Sequence, residues 1–162
     1  YQARALDNDL SVDSVDEAHV VPTDPGVHWL NLVLTVNDYA GAVAFMRDGL
    51  GLKTEEEWNE VGHGMLLDVG RATIEILDIA HAANVDAIEA GKVKGDRIRL
   101  ALGVGDLATA AQRAQSAGAA IENVPVDTPW NHRNQRLAMP PNLPIQALTL
   151  FQVMTEPEAV TP

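Results

Sequence analysis

The segment LNLVLTVNDYAGAVAF at residues 30–45 returns as IRLALGVGDLATAAQR at residues 98–113. Leu32 matches Leu100, Leu34 matches Leu102, Val36 matches Val104, Asp38 matches Asp106 and Ala42 matches Ala110, a constant offset of 68 residues. A repeat of this kind restricts the chain to two copies of one supersecondary unit. In each copy an alternating apolar run, the pattern of a strand, gives way to a short turn and then an Asp. An Asp there accepts the first free N–H groups of a helix. Tyr39, Val43, Met46 and Leu50 fall on one face of the first predicted helix, and Leu107, Ala111, Ala114 and Ala117 form a thinner stripe on the second. Gly51 and Gly118 follow as helix stops.

Three strand-like runs come after each helix: 53–60, 63–70 and 71–78 in the first copy, 119–126, 131–139 and 145–153 in the second. Turn residues separate them: Gly62, Gly70, Pro125 and the MPPNLP segment. The chain therefore reads as an α+β fold of two tandem βαβββ units, 27–79 and 97–154, joined by a linker at 80–96 with room for a short helix. Both units belong to one predicted domain, 25–156. Residues 1–24 hold six acids and one base, without sustained periodicity, and predict a flexible acidic extension.

Glu75 stands out inside RATIEILD, residues 71–78. Strand alternation sends Ile74 and Ile76 one way and Thr73, Glu75 and Leu77 the other. The carboxylate therefore meets either solvent or a site.

Composition removes several function classes. The chain has no cysteine, hence no disulfide, thiol nucleophile or thiolate metal site. A net charge of −12 opposes binding to a phosphate backbone and favours solubility or a cationic guest. No apolar run reaches the roughly 20 residues of a membrane span, and the first residues do not form a signal peptide. Cytoplasmic location is the expectation. The sequence shows no glycine-rich phosphate loop, zinc motif or Ser-His-Asp order.

LTVNDYAGAVAFMRDGLGL (34–52), GRATIEILD (70–78), LALGVGDLATAAQRAQSAGAAI (100–121) and PIQALTLFQ (144–152) resemble the vicinal oxygen chelate superfamily, which contains glyoxalase I, extradiol dioxygenases and bleomycin-resistance proteins. The resemblance implies that each unit curls into part of an incomplete barrel around a cavity, and that the protein is a homodimer. It also implies four cavity-lining positions that hold metal ligands in metal-dependent members. These fall on Asn31, Glu75, Arg99 and Thr149. Arg99 has no lone pair to donate and would repel a cation, so neither metal nor cofactor is expected. His28 and His63 are the nearest spare imidazoles.

Glu75 and Arg99 are expected on facing walls, as a ligand-binding pair or as a salt bridge plugging a lost metal site. Trp58, Trp130 and His132 are further candidates for ligand binding, with ordinary packing or exposure as the alternative for each. Trp29 reads as core or interface. The leading expectation is a metal-independent protein that sequesters an antibiotic or another bulky aromatic natural product, and is not an enzyme. The first alternative is a metal-free isomerase, lyase or cyclase with Glu75 as general base. The second is a metal-dependent glyoxalase or dioxygenase. A regulatory module with a vestigial cavity is a further reading.

Overall fold

A computed structural model describes residues 26–155; the acidic extension expected at 1–24 lies outside them. The first unit runs β1 (Val27–Val36), α1 (Tyr39–Val43), β2 (Lys53–Trp58), β3 (Gly64–Asp68) and β4 (Thr73–Asp78). A linker helix, α2 (Ile79–Ala90), leads to the second unit. There β5 (Ile98–Val104), α3 (Leu107–Ser116), β6 (Ala120–Ile121), β7 (Val126–Asp127), β8 (His132–Ala138) and β9 (Ala147–Val153) follow. The strands form one open sheet in the order β2-β3-β4-β1-β5-β9-β8-β6, with β7 also on β8.

The repeat is written into the pairing. β1 lies parallel to β4 as β5 lies parallel to β9, and the two units join through antiparallel β1 and β5 within one chain. Both N-caps form as expected. Asp38 accepts from the Gly41 N–H at 2.9 Å, and Asp106 from the Thr109 N–H at 3.2 Å.

Alternation along the strands produces two faces. On the outer face, Val43 of α1 packs with Met65, Leu67 and Ile76, while Leu107 and Ala111 of α3 pack with Val104, Leu137, Leu148 and Leu150. The inner face has its own apolar cluster of Val33, Leu77, Ala101 and Phe151, joined by Trp29, Val153 and Ala82 of α2.

Three details differ from expectation. The first helix widens into a π-helical segment at Ala44–Gly49. Each π turn takes about one residue more than an α turn. This rotates Leu50 off the stripe, and it is 58% exposed. The run at 119–126 yields only the two-residue strands β6 and β7, because Pro125 removes a ladder donor between them. The linker forms a 12-residue helix rather than a short one. Asp78 caps it by accepting from the His81 N–H, and left-handed Gly91 ends it.

Candidate functional site

The sheet register brings the four cavity positions together. Val33 on β1 pairs with Glu75 on one side and Arg99 on the other, so both side chains share the inner face. One row along, Asn31 pairs with Ala101, Ala101 with Thr149, and Thr149 with Arg136. Asn31, Glu75, Arg99 and Thr149 thus line the middle of the inner face, with Arg136 beside them.

Glu75 and Arg99 do not form the direct ion pair expected of them. Arg99 donates from Nη1 to the Thr149 hydroxyl at 2.7 Å, and Glu75 accepts a long 3.5 Å bond from the Asn31 amide. Val33 stands between their strands and keeps the charges apart. Burial pushes the Glu75 carboxyl up to about 6, against the opposing pull of the Arg99 charge. Burial and the neighbouring Arg136 charge both lower the Arg99 pKa.

α2 lies across the inner face. Asp86 and Glu89, one helical turn apart, reach down to Arg136, which donates from Nε to Glu89 at 2.6 Å and from Nη2 to Asp86 at 3.0 Å. Asn134 adds a bond to Glu89. Arg136 and Glu89 are 2% and 3% exposed. A buried pair of this kind holds firmly only when both sides stay hydrogen-bonded, as they do here. Asp86 also accepts from the Lys94 N–H and fixes the exit of the helix.

The expected aromatic positions divide. Trp58 stacks on His81 of α2, with ring centres 5.8 Å apart. His132 is the first residue of β8, within the strand run expected at 131–139, and stacks on Phe151 at 5.0 Å; burial lowers its pKa. Trp29 meets Phe151 edge-on at 5.3 Å and donates from its indole N–H to Thr73, which makes it part of the inner face. Trp130 is 38% exposed and makes no ring contact among the described residues. Arg133, adjacent to His132, points the other way and pairs with exposed Asp127.

Asp86, Glu89 and Arg136 were not among the sequence candidates. Their signal was present: two acids three residues apart in the Ala-rich IAHAANVDAIEA, and an Arg on the same strand face as His132 and Asn134.

The donor set does not suit a divalent ion. Among the described residues no three His, Cys, Asp or Glu side chains converge to hold one, and the Arg99 guanidinium stands in one of the four positions. His28 is exposed, and His63 stacks on Tyr39. No helix among the described residues is long and apolar enough to cross a membrane.

A cavity of about 180 Å³ lies where the segment after α2 meets the facing ends of β8 and β9, lined in part by Lys94, Asp96, Arg99, Glu122 and Arg136. A larger open groove of about 760 Å³ lies on the outer side near the start of α3, bounded by Asp106, Leu107, Arg133 and Gln152.

Solved structures share this architecture. A hypothetical protein from Bacillus halodurans C-125 is 17% identical over 83% of this chain and 98% of its own, with a TM-score of 0.58. Methylmalonyl-CoA epimerase from Mycobacterium tuberculosis is 19% identical over 85% and 95%, with a TM-score of 0.55. The Streptomyces coelicolor methylmalonyl-CoA epimerase, solved with 2-nitronate-propionyl-CoA, is 14% identical over 80% and 100%, with a TM-score of 0.57. At these identities the likeness is one of fold. No curated protein matches the chain. The profile of the glyoxalase/bleomycin resistance protein/dioxygenase superfamily matches residues 26–144. The paired βαβββ units and the residues of their shared inner face therefore have a family: the chain belongs to the glyoxalase/bleomycin resistance protein/dioxygenase superfamily.

Proposed function

We propose that this chain is a metal-independent small-molecule-binding protein whose inner face receives the ligand and whose α2 helix covers it. The observation that carries this reading is Arg99. A buried guanidinium, hydrogen-bonded to Thr149, stands where a metal ligand would have to be. A fixed positive charge there disfavours a cation and suits a polar organic group.

The guest class expected from the sequence, a bulky aromatic natural product held by sequestration, fits this reading with α2 lifted. With the helix seated, the cavity of about 180 Å³ that reaches Arg99 is below the roughly 300 Å³ of small drug-sized sites. Lifting α2 frees the face of Trp58 now stacked on His81, and removes Ala82 from the cluster around Trp29 and Phe151. Flat rings on a concave wall are well suited to stacking against a planar guest.

Metal analysis after incubation with Zn, Ni, Mn and Fe, combined with calorimetry against aromatic natural products, tests the reading. The expected result is less than a tenth of an equivalent of each metal (roughly the background of non-specific sites) and saturable ligand binding that quenches Trp fluorescence. One equivalent of metal overturns it.

The Glu75 carboxyl, lifted to about 6, favours a second reading. A carboxylate with a pKa nearer neutrality suits general-base work, so a metal-free isomerase, lyase or cyclase would use it. Glu75→Gln separates the two: lost turnover with ligand binding retained assigns the enzyme.

A further inference from the structure

Arg99 is 7% exposed, yet its only hydrogen bond among the described residues is the one from Nη1 to the neutral Thr149 hydroxyl. Among the described residues no carboxylate lies within ion-pair distance of it, whereas Arg136 is held by two. A buried guanidinium with most of its five donors unused is an expensive arrangement unless something accepts from them.

The unused donors are not sealed in. Among the described residues, the buried side-chain polar atoms without a partner are Tyr39 Oη and Asn134 Oδ1 alone. The free nitrogens of Arg99 therefore open onto space, and the 180 Å³ cavity is the space they line. Arg136 stands on the same wall. Its Nε and Nη2 are taken by Glu89 and Asp86, and Nη1 has no hydrogen-bond partner among the described residues. At the outer end Lys94 and Glu122 pair at 2.8 Å, half-exposed, beside Asp96. Although the chain is acidic overall and Arg136 is neutralised by its two carboxylates, Arg99 brings to this cavity a guanidinium with no ion-pair partner among the described residues.

We propose that the cavity on Arg99 and Arg136 is a binding site for a small oxyanion, a carboxylate or a phosphate, reached past the Lys94–Glu122 pair. This deepens the ligand-binding reading and rests on it. The Arg99 fork offers an oxyanion the two parallel N–H donors that make guanidinium–carboxylate pairs strong and oriented. At about 30 Å³ per water, the cavity holds about six waters, the space of a small organic acid or of the acidic end of a larger guest. It is open while α2 remains seated, so binding there does not require the helix to move.

The test is titration of the full chain with benzoate, inorganic phosphate and benzamidine, following the Arg99 Nε–Hε resonance by NMR and the heat by calorimetry. Benzamidine has the shape of benzoate and the opposite charge. Benzoate or phosphate should shift the Arg99 resonance saturably while benzamidine leaves it in place, and the tighter of the two anions names the ligand class. Arg99→Gln should weaken anion binding by at least about tenfold, since hydrogen bonds to charged groups are worth more than 1.5 kcal/mol. If that variant fails to fold, the titration of the unaltered chain decides alone. Benzamidine binding as well as benzoate, or an Arg99 resonance that no anion moves, overturns the proposal. Neutral or cationic guests that bind the inner face without moving Arg99 overturn the oxyanion site and leave the ligand-binding reading standing. A full equivalent of metal in protein that still binds benzoate at Arg99 does the reverse.

Discussion

The two units follow one recipe and finish it with opposite charges. The first places a carboxylate, Glu75, on its last strand, with Glu56 two strands away on the same inner face. The second places guanidiniums, Arg99 and Arg136, on its first and second long strands, β5 and β8. Outside, the units stay alike: Asp-capped helices over apolar strands, ended by glycines in the left-handed conformation, Gly51 at φ 75° and Gly118 at φ 109°. Strand pairing and outer packing constrain the repeated residues to remain similar. On the inner wall the two copies share one apolar cluster and one covering helix instead of each packing its own, and that is where they diverge.

The largest effect should come from the cationic wall. Arg136→Ala leaves Asp86 and Glu89 buried with no counter-charge and should cost about 3–5 kcal/mol in urea unfolding. The triple substitution Arg136→Met, Asp86→Asn, Glu89→Gln removes all three charges and should cost less than the single one. An equal or larger loss would mean that the network stabilises by its charges rather than by their mutual compensation.

On the acidic wall the expectation concerns pH. The folded chain holds the Glu75 proton up to about pH 6, whereas an ordinary Glu releases it near 4.5. The folded state therefore binds more protons in that window, and stability falls as pH rises through it, by on the order of 2 kcal/mol at most. Glu75→Gln should remove this fall, so that the variant gains on the parent from pH 4.5 to 7. His132 works with the opposite sign, because its lowered pKa makes the parent lose stability as pH falls through the ordinary histidine range. A parent whose stability rises from pH 4.5 to 7 as steeply as the variant's would show that Glu75 is not strained.

The smallest effect tests the likeness of the outer halves. Gly51→Ala and Gly118→Ala should each cost about 1–2 kcal/mol for the left-handed backbone. A new Cβ meets nothing within 4 Å at Gly51 and only Pro140 at an ordinary 3.5 Å at Gly118. Matching losses in thermal unfolding would confirm that the two stops are equivalent, and a clear mismatch would break the symmetry.

The outer architecture was legible in the sequence because local rules govern it: period-two strands, Asp before a helix, Gly after one. The face on which Glu75 lies was legible for the same reason. The π-helical segment was not, since Tyr39, Val43, Met46 and Leu50 fit a regular helix equally well. Neither was the place of α2. A segment between two repeats reads as a connector, and only long-range pairing with Arg136, some 50 residues on, reveals that it crosses the sheet. The Glu75–Arg99 pairing failed because a shared face does not ensure contact when Val33 lies between.

The placement of α2 has a consequence in time. It starts on β4 and docks its far end on β8, so unseating it breaks two buried ion pairs and the Trp58–His81 stack in one event. For a guest of the inner face too bulky for the space left under the seated helix, association would therefore wait on the helix. Its observed rate should climb with concentration only until it reaches the unseating rate and then level off, while an oxyanion small enough to pass Lys94 and Glu122 continues to bind in proportion to its concentration.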